Sequence, residues 1–479
     1  MKLEAYLTGL PQEKRQALLG RDTEDSLHQA FSHKRVVHAG LIGEAIMPAR
    51  QQQVWQAAMQ QPADLSSQHA VYIHIPFCQT RCLYCGFYQN ASRQEVEDAY
   101  VDDLVAEIAA EAGAVQLRNT PIKAVFIGGG TPTSLSAVNA SRLLAAIQRS
   151  FSLVPDCEVT LEGRVHDLVP EKIEAWLSHG VNRISLGVQS FDTVLRQRVG
   201  RIDSREEVLR RLALLKTYDV TVIVDLIYGL PGQTMETWME DVRTLELANV
   251  DGMDLYQLNV FPNGPLDKAV ANGSVPPCAT VAEQADMYVA ARDYLLAAGV
   301  ERLSLCHFRR SKRERSLYNT LAKTGAAIYP FGCGAGGNFG GLTFMQLREL
   351  KAYHAARAKG EKPLMMLARQ VEPKLKQAAD NIIADLEKGF VDFRRLSMLD
   401  CRLEELEILL TLWQQRGLMT EDLGVYRLTK AGEFWYISLT QSLVEAAQVV
   451  MKDKEEPMSL PAWMPPAMRE KIMAKMAES

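Results

Sequence analysis

The chain has 479 residues, a formal net charge of −5 and 47% hydrophobic residues. That length exceeds what one core usually supports, and the charge excludes the general basic face expected of a nucleic-acid-binding protein. No apolar run of about 18 residues is present, and Met1-Lys-Leu-Glu-Ala-Tyr lacks the pattern of a signal peptide, so the expectation is a soluble, cytoplasmic protein without membrane insertion or a nucleic-acid partner.

Residues 1–70 read as a helical extension, because they contain neither strand alternation nor a glycine-rich loop and end in the polar stretch Gln60-Gln-Pro-Ala-Asp-Leu-Ser-Ser67. A cap over the following domain is the expected role. From 71 to 260, β-rich runs at 71–75, 124–127, 158–161, 183–188, 220–225 and 253–258 alternate with amphipathic stretches, which predicts six parallel strands. Ser204-Arg-Glu-Glu207 has the spacing of a capping box for one intervening helix. The implied fold is α/β, a partial (βα)6 barrel of TIM type with its site at the C-terminal ends of the strands. Residues 280–360 read as helix, loop, basic run and the glycine-rich Phe331-Gly-Cys-Gly-Ala-Gly-Gly337, expected to close one side of a barrel domain spanning 71–360.

Residues 361–450 change in character. They read as helices followed by a short hairpin and final helix around Tyr426-Arg-Leu-Thr-Lys-Ala-Gly432, a winged-helix-like arrangement. Glu404, Glu405 and Glu407 argue against a phosphate-facing surface there, leaving a lid or packing role. The tail, 451–479, holds six methionines, among them Met464, Met468, Met473 and Met476. Such a stripe suits an adaptable apolar contact, with haem ligation as the alternative.

The chemistry concentrates in His74-Ile-Pro-Phe-Cys78-Gln-Thr-Arg-Cys82-Leu-Tyr-Cys85-Gly-Phe87. Three thiolates so spaced suit three irons of a four-iron cluster and leave the fourth iron open. Structural zinc fits poorly, since it takes four ligands and no fourth Cys or His follows at finger or ribbon spacing. Cys157, Cys278, Cys306, Cys333 and Cys401 form no paired framework and are expected to be reduced thiols. An open iron is oxygen-sensitive, which points to an anaerobic or reducing setting.

Further along, Gly128-Gly-Gly-Thr-Pro-Thr133 follows the second predicted strand, where absent Cβ atoms let backbone approach a ligand. Glu162, Gln189 and Asp225 end the third, fourth and fifth strands, where polar side chains point at the barrel top. Arg201 is suited to a carboxylate fork, with a solvated surface charge as the alternative.

The Cys78/Cys82/Cys85 motif, with an aromatic before its last cysteine, resembles the radical S-adenosylmethionine (SAM) superfamily. Together with Gly187-Val-Gln-Ser-Phe191 and the Asp225 segment, it resembles the branch of oxygen-independent coproporphyrinogen oxidases and their relatives, over residues 71 to about 450. The resemblance implies a [4Fe-4S] cluster on the three cysteines and two SAM molecules in one pocket. Tyr72, Gly129 and Glu162 match positions for the SAM on the cluster. Tyr84, Gly130, Thr131, Gln189, Arg201 and Asp225 match those for the second SAM, with Asn259 as a looser correspondence. A low-potential electron donor such as a flavodoxin or ferredoxin is implied as partner.

Three readings compete within the branch. The oxidases continue their motif Cys-Gly-Cys, whereas Phe87 follows Gly86 here. The haem chaperones have Cys-Asp-Phe, and Gly86 stands at that Asp. Tyr84-Cys-Gly-Phe-Tyr88, the extension and Leu255-Tyr-Gln-Leu-Asn-Val-Phe-Pro262 resemble the anaerobilin synthases, methyltransferases that open haem without oxygen. For a haem substrate, Arg309, Arg310 or Arg313 in the run 307–315 would pair with propionates, although a solvated basic loop is the simpler reading. His307 and Cys306, and His28, His33 and His38 in the extension, are further candidates for iron ligation; a lone His is more often hydrogen-bonded.

Overall fold

The computed structural model describes residues 2–35, 43–370 and 372–452. These divide into two compact units: residues 52–365, and residues 1–51 together with 366 onward. The division differs from the linear reading of 1–70, 71–360 and 361–450, because the first 51 residues group with the far end of the chain. His38 and the methionines at 464, 468, 473 and 476 lie outside the described residues.

The larger unit is built on six parallel strands: β1 (His69–Ile75), β2 (Pro121–Gly129), β3 (Ser152–Gly163), β4 (Arg183–Gln189), β5 (Thr221–Tyr228) and β6 (Gly252–Gln257). Each pairs with its successor. Burial on both faces is typical of parallel strands covered by crossover helices, and β4 is buried at every position. The crossover helices are α1 (Gln94–Ala112), α2 (Ala137–Ser150), α3 (Pro170–Ser178), α4 (Arg205–Leu215) and α5 (Met235–Ala248). Trp176 on α3 and Trp238 on α5 are fully buried, and the Trp238 indole donates to the Met287 carbonyl at 2.8 Å.

The predicted capping box at α4 forms only by half. Ser204 accepts from the Glu207 N–H, while the Glu207 carboxylate is engaged by Arg210 and Arg211 at 2.7 and 2.6 Å. Two nearby guanidiniums outcompete one backbone amide for a carboxylate.

The segment 280–360 extends both edges of the sheet. Strand β7 (His307–Arg309) runs antiparallel beside β6, whereas β8 (Ala327–Phe331) pairs parallel with β1 and leads into the antiparallel β9 (Gly336–Phe339) and β10 (Leu342–Gln346). Gly332, at φ +93°, passes where a Cβ would meet the Tyr100 hydroxyl at 2.4 Å and the His74 carbonyl at 2.6 Å. The buried ammonium of Lys362 ties this edge to α1 through Glu107 at 2.8 Å, Glu111 at 3.0 Å and the Pro330 carbonyl at 3.0 Å.

In the smaller unit, a three-stranded antiparallel sheet is formed by β11 (Phe390–Asp392), β12 (Met419–Asp422) and β13 (Val425–Leu428), accompanied by helices 373–387, 393–399, 407–415 and 430–451. Leu423 and Gly424, both at positive φ, make the tight turn between β12 and β13. Helices 2–9, 12–19 and 26–29 pack on the same unit. The indoles of Trp413 and Trp435 donate to the carbonyls of Leu19 and Leu27 at 3.1 and 2.9 Å, satisfying the polar ends of two buried aromatics.

Candidate radical SAM site

The cysteine loop leaves the C-terminal end of β1. Its base is closed by short parallel pairing of Phe77–Cys78 with Asn90–Ala91, and its middle is held by the Leu83 N–H on the Val199 carbonyl at 3.1 Å. Cys78 and Cys82 are buried, and Cys85 is half-buried. Donors face all three sulfurs: Thr131 Oγ1 to Cys78 at 3.4 Å, Arg164 Nη2 to Cys82 at 3.5 Å, and the Phe87 N–H to Cys85 at 3.3 Å. Donors aimed at sulfur suit thiolates. Burial nevertheless pushes the Cys78 thiol up, so deprotonation there needs a positive partner, which iron supplies. Among the described residues no three His, Cys, Asp or Glu side chains gather as they would around a single ion. Three thiols carried on one loop fit a cluster in which each sulfur takes a different iron.

Beside this loop, the glycines ending β2 are sterically required. A Cβ on Gly128 would lie 2.7 Å from Glu162 Oε2, on Gly129 2.6 Å from the His74 ring, and on Gly130 2.4 Å from the Phe77 carbonyl. The Gly129 N–H donates to Glu162 Oε2 at 3.1 Å. Burial pushes Glu162 up to about 7, leaving a carboxyl ready to receive an ammonium. The Tyr72 hydroxyl lies 2.9 Å from His74 Nδ1, and the Tyr72 ring stacks near Phe126 and Tyr318 as an aromatic wall. His74 Nε2 is buried without a hydrogen-bond partner; burial, then the charge of Arg348, lowers His74 to about 4 and keeps it neutral.

A second polar corner lies around β4. Gln189 sits at φ +73°, beside a register shift against β5. That conformation costs a non-glycine residue of order 1–3 kcal/mol unless its surroundings impose it. They do so here. Asp241 accepts from Ser190 Oγ at 2.7 Å and the Phe191 N–H at 2.6 Å, and the buried Arg196 donates to the carbonyls of Val188 and Ser190 at 2.6 and 3.0 Å. The Gln189 amide and the Arg201 guanidinium then meet above Gly187, where a Cβ would lie 2.6 Å from Gln189 Nε2 and 3.1 Å from Arg201 Nη2.

Arg201 is buried and makes no ion pair among the described residues; its hydrogen bonds go to the Tyr84 hydroxyl at 3.0 and 3.3 Å. A buried guanidinium so placed favours an incoming carboxylate. Asp225 lies next to Asp254 in register and 3.4 Å from Ser185 Oγ; burial, then the charges of Asp254 and Glu162, push it up to about 8. Asn259 is exposed in the loop after β6.

The haem-directed basic residues are placed elsewhere. Arg309 pairs with Glu301 at 2.6 Å, Arg310 with Glu246 at 3.1 Å and Arg313 with Asp219 at 2.8 Å. Asp219 precedes β5, Glu246 lies near the end of the helix before β6, and the Arg310 N–H bonds the carbonyl of Asp251 just ahead of β6. The run therefore sits at the N-terminal ends of the strands, opposite the cysteine loop, because the antiparallel β7 carries the chain back down. His307 is buried with Nδ1 3.0 Å from Asp254 and Nε2 3.1 Å from Glu314, which also holds Arg183 at 2.9 Å. Burial opposes its charge, yet the two carboxylates push His307 up to about 9. Both ring nitrogens face carboxylates, so His307 is not free to ligate iron. Cys306 shares its carbonyl with the Leu255 N–H at 2.9 Å. His28 pairs with Asp25 at 2.8 Å, and His33 lies 3.0 Å from Ser32 Oγ.

Arg164, Arg196 and Asp241 are not marked by the sequence. Their roles arise from neighbours 6 to 84 positions away, for example Arg164 on Thr80 and Cys82, and no local pattern marks them.

A parallel partial barrel with a three-cysteine loop after its first strand and a glycine turn after its second defines a radical SAM enzyme. The radical SAM superfamily model matches residues 72–245. The chain is 40% identical over 411 residues to anaerobilin synthase of Escherichia coli O157:H7, covering 85% of this chain and 91% of that relative. Similarity to the heme chaperone HemW of Bacillus subtilis (strain 168) is 30% over 289 residues, 59% of this chain and 74% of the chaperone. In fold, it matches the structure of coproporphyrinogen III oxidase (HemN) from Escherichia coli with a TM-score of 0.73 at 20% identity, covering 86% of this chain and 96% of that one. The chain belongs to the radical SAM superfamily, in the lineage of oxygen-independent coproporphyrinogen oxidase relatives that includes anaerobilin synthase. A four-iron cluster and SAM come with that membership. Among the described residues no helix is long and apolar enough to cross a membrane.

Proposed function

We propose that this protein is a radical SAM C-methyltransferase that degrades haem anaerobically, passing a SAM-derived carbon to the porphyrin, opening the ring to a linear tetrapyrrole and releasing iron. The observation that carries this reading is the reach of the likeness to anaerobilin synthase, across 85% of this chain at 40% identity, whereas the chaperone match spans 59% of this chain at 30%. When bound, the cluster and SAM supply a 5'-deoxyadenosyl radical for hydrogen abstraction. Cys78, Cys82 and Cys85 hold the irons. Glu162 and the Gly129 backbone receive the amino group of one SAM, against the aromatic wall that begins with Tyr72. Arg201 takes the carboxylate of a second SAM, with Tyr84, Gln189, Gly130 and Thr131 around it, and Asp225 and Asn259 meet its sugar and base. The chain's contribution is orientation and exclusion of water, which converts encounters between reactants into effectively intramolecular steps.

The test is anaerobic incubation of reconstituted protein with SAM, haem and a low-potential reductant, followed by mass spectrometry. A methylated linear tetrapyrrole with S-adenosylhomocysteine and 5'-deoxyadenosine is expected, and Cys82→Ala should abolish all three. Intact haem with neither SAM product, in protein verified to hold its cluster, would refute the proposal. Conversion of coproporphyrinogen to a vinyl-bearing porphyrinogen would favour the oxidase reading instead.

A further inference from the structure

Two segments far apart in sequence carry aromatic side chains: Gly86-Phe87, and the run from Leu255 to Pro262. The fold brings them together. The Phe261 ring lies against Gly86 so closely that a Cβ there would sit 3.1 Å from it. The two segments that make this contact carry exposed apolar side chains, Phe87 69%, Phe261 45%, Tyr256 42% and Val260 39% exposed. Tyr256 stands near the end of β6, the strand that leads into the Phe261 loop. Phe87 is joined to the cluster loop through its N–H on Cys85. Arg81, exposed in the same loop, lies 5.3 Å from the Tyr88 ring centroid and makes no ion pair among the described residues.

We propose that this rim, Phe87, Tyr256, Val260 and Phe261 folded over Gly86 with Arg81 at its side, is where the haem macrocycle docks and is chosen. The inference rests on the haem reading above and adds where the ring lies. Three features select that occupant over a protein partner. The patch is continuous with the loop that carries the radical chemistry, so a substrate resting on it is adjacent to Cys85. Its aromatic character suits the face of a flat ring, for which offset stacking is favourable. The unpaired Arg81 complements propionates, a role the ion-paired Arg309, Arg310 and Arg313 cannot fill without breaking existing pairs. The missing Cβ at residue 86 lets Phe261 fold onto the loop, so an Asp there would displace the ring.

Haem titration of the reconstituted protein, followed by Soret absorbance under anaerobic conditions, tests this. Phe87→Ala and Phe261→Ala are each expected to raise the haem dissociation constant at least fivefold, and Gly86→Asp to do likewise. Leu247→Ala, an exposed apolar residue on α5, should leave it unchanged. Iron per chain reports the integrity of the loop. If a variant loses iron, Phe261→Leu, which keeps bulk but not the aromatic face, replaces it and should still weaken binding at least twofold. Unaltered haem affinity in Phe261→Ala and Phe87→Ala would overturn the docking surface. Failure of the unsubstituted protein to bind haem would instead overturn the substrate reading on which it rests.

Discussion

At the scale of single residues, the buried charges divide by what can satisfy them. Arg201 has a phenol but no carboxylate, and its proposed partner is the methionyl carboxylate of SAM. Losing a charge-assisted pair of this kind costs about 2 kcal/mol, or roughly thirtyfold in affinity. Arg201→Ala should accordingly raise the SAM concentration needed for S-adenosylhomocysteine formation by about that factor, with iron content unaltered; an unchanged SAM titration would remove Arg201 from the site. His307, by contrast, lies between Asp254 and Glu314, whose charges push it up to about 9 against the effect of burial. A raised histidine stabilises fully below its unfolded value near 6.5, and the stabilisation disappears as pH rises through about 9. Asp225, pushed up to about 8, acts in the same direction, because folding increasingly opposes its ionisation as pH climbs from about 4 to 8. The melting temperature of the reconstituted protein should fall between pH 6.5 and 9, and His307→Gln should flatten that slope. A melting temperature independent of pH over this window would contradict the assignment of charge to His307.

At the scale of elements, strand ends and the turns after them make the site. Each of the six parallel strands overlaps the predicted run, since parallel strands buried on both faces require continuous apolar stretches that are visible in sequence. The turns were legible where composition forces geometry, as in Gly128-Gly-Gly. They were illegible where a non-glycine residue is held at positive φ by distant groups, as Gln189 is by Arg196 and Asp241. Gly130→Ala tests the glycine turn. Its Cβ would meet the Phe77 carbonyl at 2.4 Å, so the backbone on one side must move. That displacement should cut 5'-deoxyadenosine production at least tenfold and lower iron retention, measured by absorbance and product assay. Wild-type values would show that the turn tolerates bulk.

At the scale of the whole molecule, the chain's two ends share one unit. Trp413 and Trp435 are buried with their indoles on carbonyls supplied by residues 19 and 27, and Arg35 pairs with Glu445 at 2.6 Å. Deleting residues 1–51 strips those acceptors and uncovers apolar surface on the C-terminal helices. Leaving buried donors unsatisfied costs about 1–3 kcal/mol each. The truncated protein should show faster proteolysis within 366–452 and a melting temperature lower by several degrees. Unchanged protease resistance would mean that the C-terminal segment stands alone.

By itself, the sequence determined the parallel barrel, the cysteine loop and the order of polar strand ends, because periodicity, glycine turns and ligand spacing are local properties that survive in one dimension. Tertiary structure alone decided that the basic run 307–315 lies at the strands' N-terminal ends, that His307 is locked between two carboxylates, that the first helices join the last, and that Gly86 and Phe261 touch. The reason is common to all four. Each depends on which way a chain returns, and the direction of a strand such as β7 is settled by hydrogen bonds and buried charge between segments far apart in sequence.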